Sequence, residues 1–330
     1  MKLVSIQYAR ALAALAVVFY HATARGDAWF QVGSAGVDVF FIISGFIMWT
    51  VTERETKSGT FLAHRLLRIA PLYWMATLLA AVSARPDLAR LVASFLFIPW
   101  RAPDGAVAPV LVQGWTLQYE MFFYLLFAVG LVLTRRLQLA VITTALVALS
   151  CIGLAGPPHD PVVHTYTDPL LLEFLAGIWL AVLWRAARLP QWAGRPLLAA
   201  AIVAFTLAGV ARLDPTGWAR LFFWGVPAGL LVTGFLALED RMPVNRLGLA
   251  LGDSSYSIYL FHGFISSVVF RLPLGPMLIP VAVVASAVGG WLIFRLIEAP
   301  MTRFLRDRTA GAPRPRHDQD KVSPTPNPSR

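Results

Sequence analysis

The chain has 330 residues, of which 57% are hydrophobic and only 14% charged, and its mean hydropathy is +0.64. An ordinary soluble domain carries about 25% charged residues, so there is too little polar sequence here to cover an apolar core, and an ordinary soluble enzyme is excluded. A net charge of +10 would suggest nucleic acid in a soluble protein; in a membrane protein it is usually cytoplasmic loop arginine, so the expected partner is a lipid bilayer and no nucleic acid. With one cysteine, no disulfide framework and no Cys-x-x-Cys site can form.

A helix needs about 20 mostly apolar residues to cross a bilayer. Such stretches run over 4–22, 35–52, 69–84, 116–134, 138–154, 169–184, 197–211, 218–238, 249–270 and 278–297. The stretch 91–99 is too short to span and reads as a re-entrant or interfacial piece. The expected fold class is all-α, a polytopic integral membrane protein with about ten transmembrane helices. An N-in, C-in arrangement places twelve Lys and Arg inside, among them Arg54, Arg65, Arg68, Arg135, Arg136 and Arg188, against seven outside. The basic tail adds to the inside. Residues 1–305 form the expected membrane-embedded domain, and 306–330, rich in Pro, Arg, Ser and Asp, a disordered cytoplasmic tail. Apolar 11–19 followed by Ala22-Thr23-Ala24 has the outline of a signal peptide. The preceding segment holds only Lys2 and then Arg10 among apolar residues, which favours a retained first span.

Ionisable side chains inside spans are rare and read first as functional. Arg10 and His21 lie eleven residues apart in the first span. At 100° per residue that is three turns plus about 20°, so both share one face, roughly 16 Å apart, with Ala14 and Val17 between them. The competing reading of His21 is an interfacial histidine leaving the bilayer. Arg65 and Arg68 share a face at the mouth of the third span, and a guanidinium fork suits phosphate. The positive-inside rule also explains them. Glu120, in Trp115-Thr116-Leu117-Gln118-Tyr119-Glu120, enters its span from outside at a depth similar to His21. A carboxylate there would orient the imidazole, or form a structural salt bridge with an arginine. Asp38, Glu173 and His262, the last following Tyr256 in Ser254 through His262, collect at the same depth. No Walker loop, Gly-x-Gly-x-x-Gly, His-Glu-x-x-His or Gly-x-Ser-x-Gly motif occurs. The Gly33, Gly36, Gly45 spacing reads as packing.

Together these pieces resemble acyltransferase family 3, polytopic membrane enzymes that acylate carbohydrate hydroxyls. The resemblance rests on Ser5 through Ala11 leading to Tyr20-His21-Ala22, and on Gly36-Val37-Asp38 through Phe46. It continues with Phe61 through Arg65, Arg68 and Pro71 to Trp74, then Trp115-Thr116-Leu117 with Glu120. Ser255 through His262 and Glu298-Ala299-Pro300 close it. The match spans residues 3–305, and the opening resembles the branch that acetylates bacterial exopolysaccharide. The resemblance implies that His21 is the catalytic histidine, with Glu120 in the catalytic pocket. It implies that Arg10, Arg65 and Arg68 bind the acyl donor, acetyl-coenzyme A, and that no metal takes part. Asp38, Trp115, Tyr256 and His262 are the expected pocket or substrate-binding residues. The acceptor would be a polysaccharide or lipid-linked oligosaccharide, and the location the bacterial inner membrane with both termini cytoplasmic. Two other classes stand against this: a transporter or flippase of a lipid-linked sugar, and a structural membrane subunit without catalysis.

Overall fold

Where no water is at hand, a backbone must satisfy its own N–H and C=O groups, and long apolar runs do so as helices. The computed structural model describes residues 3–309 apart from 27–28, 53–56, 103–104, 157–158 and 187–188. Its helices are α1 (Val4–Arg25), α2 (Gly36–Val51), α3 (Ser58–Ala84), α4 (Leu88–Phe95), α5 (Trp115–Gly130), α6 (Arg135–Ile152), α7 (Pro161–Tyr166) and α8 (Leu171–Arg185). They continue as α9 (Gly194–Val210), α10 (Gly217–Arg220), α11 (Val226–Ala237), α12 (Arg246–Asp253), α13 (Ser255–Val269), α14 (Leu278–Ile293) and α15 (Ala299–Thr309). Wider π turns at Leu221–Gly225 and Phe294–Glu298 join α10 to α11 and α14 to α15. Among the described residues the one β feature is an isolated bridge between Arg101 and Val107.

The all-α, membrane-spanning class expected from composition is what the chain adopts. Eight helical stretches are long and apolar enough to cross a bilayer. Two of the expected ten spans, α5 with 16 residues and α13 with 15, fall short of that length. The third helix starts at Ser58 rather than 69, so Arg65 and Arg68 lie within it, about two to three turns from its start. The short stretch expected over 91–99 is the eight-residue α4, capped by Asp87, whose carboxylate accepts from the Arg90 backbone N–H at 2.7 Å. At the C-terminal end, α15 carries the chain helically past 305 to Thr309. Residues 310–330 lie outside the described residues, as do Lys2, Arg54 and Arg188 from the orientation count.

Large apolar side chains lie outward all round the bundle: Val82 is 77% exposed, Val210 79% and Leu296 72%. Water would penalise such a belt, and lipid does not. Inside, Phe174 stacks on Phe41 at 4.5 Å and on Phe123 at 4.6 Å, tying α8 to α2 and α5. Helices α2 and α8 approach closely because Gly45 and Gly177 face each other's backbones. A Cβ at Gly45 would lie 2.0 Å from the Phe174 carbonyl oxygen, and one at Gly177 2.0 Å from that of Ile42. Gly36 does the same against α1, where a Cβ would lie 2.4 Å from the Ala13 carbonyl oxygen.

The first helix, which carries two of the expected site residues, is held at its start by a distant side chain. Helix α1 has no side-chain cap of its own. The Glu239 carboxylate supplies one, accepting from the N–H groups of Val4 and Ser5 at 2.8 Å each. A carboxylate there also meets the positive end of the helix dipole.

Candidate active site

Helix α13 lies along α1 and meets both ends of the face that the spacing predicted. Arg10 donates from Nε to the Ser255 hydroxyl at 3.1 Å, and His21 meets His262 at 3.2 Å. Between these contacts Ala14 and Val17 are fully buried. Arg10 and His21 therefore do share a face, and that face is a helix–helix seam.

At the arginine end of the seam are two cavities. The larger, about 440 Å³, is walled by Arg10, Arg65 and Arg68 with Leu3, Ile6, Gln7, Phe46, Ile47, Thr50 and Val51. Among the described residues Arg65 and Arg68 form no ion pair with a carboxylate. The guanidinium of Arg65 lies over the Phe61 ring, 5.5 Å from its centre, which fixes the stem without neutralising the charge. The second cavity, about 100 Å³, shares Arg10, Ile47 and Arg68 with the first. It continues between α2, α5 and α13, past Ser44, Glu120, Tyr124 and Tyr256, to Thr116 and Tyr259. A cationic chamber thus adjoins a narrow, mostly apolar one, with Arg10, Ile47 and Arg68 in the walls of both.

Glu120 stands on the wall of the narrow cavity. The Ser44 hydroxyl donates to its Oε1 at 3.1 Å, and the Tyr124 hydroxyl donates to the same oxygen. Equal depth led to the expectation that Glu120 orients His21, and the structure brings it to Ser44 and Tyr124 instead. Neither partner stood out in the sequence, although Tyr124 lies one turn on from Glu120. Tyr256 lines the same cavity and donates its hydroxyl proton to the Ile69 carbonyl at 2.9 Å, two residues before Pro71 in α3.

Beyond the narrow cavity is a polar knot. The Tyr259 hydroxyl bonds to Thr116 Oγ1 at 3.1 Å and donates to the Gln113 carbonyl at 3.1 Å. The Tyr259 ring faces the cavity, while its own carbonyl contacts His262 Nδ1 at 2.6 Å. His262 is completely buried, and its ring lies 4.9 Å from that of His21. His21 is half-buried, and its Nδ1 contacts the Val17 carbonyl at 3.0 Å. His21 is absent from the walls of both cavities. It contacts His262, whose ring in turn lies 6.1 Å from that of Tyr259.

Two expected pocket residues, Asp38 and Trp115, go elsewhere. Asp38 is buried in an ion pair with Arg220, and Glu173 is buried in the same region, its carboxylate against Gly225. Trp115 packs edge-on against Phe41 and Tyr119. Two groups the sequence reading did not select sit at the arginine end. Glu298, buried in the second π turn, accepts from the Ser257 hydroxyl at 2.5 Å, and Ser255 receives the Arg10 bond. A periodic sequence signal would have found Ser255, because it stands seven residues before His262 and so two turns away on one face.

The helical bundle thus carries a cationic chamber at one end of the α1–α13 seam and a contacting imidazole pair at the other. The acyltransferase domain family matches residues 3–295, and the chain belongs to that family of O-acyltransferases. The chain is 40% identical over 314 residues to the exopolysaccharide production protein ExoZ of Rhizobium meliloti (strain 1021), covering 89% of this chain and 98% of that one. It is 28% identical to the acyltransferase MdmB of Streptomyces mycarofaciens, over 87% of this chain and 86% of that one. It is 24% identical to the O-acetyltransferase OatA of Staphylococcus aureus, over 89% of this chain and 56% of that longer protein. No solved structure matches the chain.

Proposed function

We propose that this enzyme moves an acetyl group from cytoplasmic acetyl-coenzyme A to a hydroxyl of an exported polysaccharide or its lipid-linked precursor. The observation that carries this reading is the chamber walled by Arg10, Arg65 and Arg68, next to a narrow cavity that shares Arg10 and Arg68 with it and runs to Tyr259. A nucleotide bearing several phosphates is too costly to place in hydrocarbon, but its slender thiol-bearing arm is not. Guanidinium forks bind phosphate through paired, charge-assisted bonds. The chamber suits the nucleotide end, and the narrow cavity suits the arm. In the N-in, C-in arrangement of a bacterial inner-membrane protein, the arginine end faces the cytoplasm, where acyl-coenzyme A is. The polysaccharide acceptor is supported by the 40% identity to the exopolysaccharide production protein.

His21 is the base in this reading. The acceptor hydroxyl oxygen attacks the thioester carbonyl while His21 takes its proton. The carbon–sulfur bond breaks, the thiolate leaves and recovers that proton as the free thiol, and an ester remains on the sugar. Glu120, bonded to Ser44 and Tyr124, shapes the donor cavity rather than the base. The thioester reaches His21 by passing Tyr259, which stands in the cavity wall with its hydroxyl bonded to Thr116 and the Gln113 carbonyl.

The test uses membranes holding the full chain, supplied with labelled acetyl-coenzyme A and the polysaccharide. Label is expected in alkali-labile ester on the glycan with the native chain and not with His21→Ala. Native-level transfer by His21→Ala removes the imidazole from the mechanism.

A further inference from the structure

We propose that His262 is a positioning residue that holds the His21 imidazole, through its Nδ1–H, in the tautomer that leaves Nε2 bare; this rests on the reading of His21 as the base. Four hydrogen-bonding groups decide it. The Val17 and Tyr259 carbonyl oxygens can only accept. His21 Nδ1 lies 3.0 Å from the first, and His262 Nδ1 lies 2.6 Å from the second. Each Nδ1 must therefore carry the proton, because a lone pair turned on a carbonyl oxygen would be repelled.

The consequence follows for the other nitrogens. A neutral imidazole with its proton on Nδ1 has a lone pair on Nε2. His262 Nε2 is thus an acceptor, and it lies 3.2 Å from His21 Nδ1. The His21 N–H is shared between two acceptors, the Val17 carbonyl and His262, in a three-centre bond. Among the described residues none bonds to His21 Nε2, which is left to take a proton. When it does, the positive charge is met at Nδ1 by both acceptors, in a setting where a hydrogen bond to a charge is strong. The device does what a buried carboxylate does behind a catalytic histidine, but with an uncharged group, so the resting site needs no buried anion. The neighbours suit this: His262 has no exposed surface, and no carboxylate bonds to either ring among the described residues.

The test compares His262→Phe, which keeps a ring but removes the acceptor, with His262→Gln, whose side-chain carbonyl can accept from His21. Steady-state transfer is measured with each, in membranes, beside His21→Ala. His262→Phe is expected to lower kcat about ten- to a hundredfold, the worth of one hydrogen bond to a charged group, with KM for donor and acceptor unchanged. His262→Gln is expected to recover most of that loss. A packing role predicts the reverse order, with Phe better tolerated than Gln, and that result overturns the proposal. Nitrogen-15 NMR of the native chain in nanodiscs gives an answer independent of any variant's folding: both rings are expected with the proton on Nδ1, and a neutral His262 protonated on Nε2 overturns it. An inactive His21→Ala beside a fully active His262→Phe sinks this inference alone, whereas an active His21→Ala sinks the reading beneath it.

Discussion

Arg220 reaches Asp38 with two nitrogens, at 2.6 and 3.2 Å, and the carboxylate it holds has no exposed surface. A further nitrogen contact from Arg220 to the Ser34 carbonyl, at 3.1 Å, fixes the start of α2 as well. The pair joins α10 to α2 beside buried Glu173, so one cation serves a region rich in carboxylates. Arginine suits this because its fork matches a carboxylate and keeps its charge when buried.

Removing one partner strands the other charge. Arg220→Met is expected to cost about 3–5 kcal/mol, the usual penalty for an uncompensated buried ion. Unfolding of the solubilised protein in graded SDS measures it. Adding Asp38→Asn to Arg220→Met should return part of the loss. If the single variant unfolds like the native chain, Asp38 is not charged in the folded protein.

The chamber arginines make a second prediction. Arg65→Ala with Arg68→Ala is expected to raise KM for acetyl-coenzyme A by about tenfold or more, since hydrogen bonds to a charged group are each worth about 1.5–3 kcal/mol. Acceptor KM should stay put. Lysine at both positions should restore only part, because a point charge lacks the paired donors of a guanidinium. Initial rates at varied donor concentration decide it, and an unchanged donor KM in the double variant would remove both arginines from the donor site.

The α2–α8 seam makes a third. Gly177→Ala puts a methyl group where the Ile42 carbonyl oxygen would be 2.0 Å away. Neither helix can give way without disturbing the Phe41–Phe174 stack. Overpacking of this kind costs about 1–3 kcal/mol or more. A lower SDS midpoint and poorer recovery from membranes are expected, while Gly59→Ala, where a Cβ meets nothing within 4 Å, should behave as the native chain. Equal midpoints for the two variants would mean the helices do not pack as described.

Parts of the site were open to reading along the chain, and parts were not. Helical periodicity placed Arg10 and His21 on one face, and the neighbouring helix meets both, through Ser255 and His262. Shared depth grouped Glu120, His262, Asp38 and Glu173 with His21, but depth does not say which of them touch it. Of these, His262 reaches His21, Glu120 turns to Ser44 and Tyr124, and Asp38 is taken by Arg220. Depth is one coordinate, and contact needs the order of helices around the bundle as well, which hydropathy does not encode.

Composition and apolar run length by themselves determined that this chain is a helical membrane protein, because a backbone in hydrocarbon must pair its polar groups in helices or a closed barrel, and continuous apolar runs of about 20 residues fit only helices. The motif order determined the acyltransferase family. Only the tertiary structure decided which polar side chains meet. Each buried polar group takes whichever partner the close approach of its helices brings near, and those approaches depend on glycine contacts such as Gly45 on Phe174 and Gly177 on Ile42, far apart along the chain.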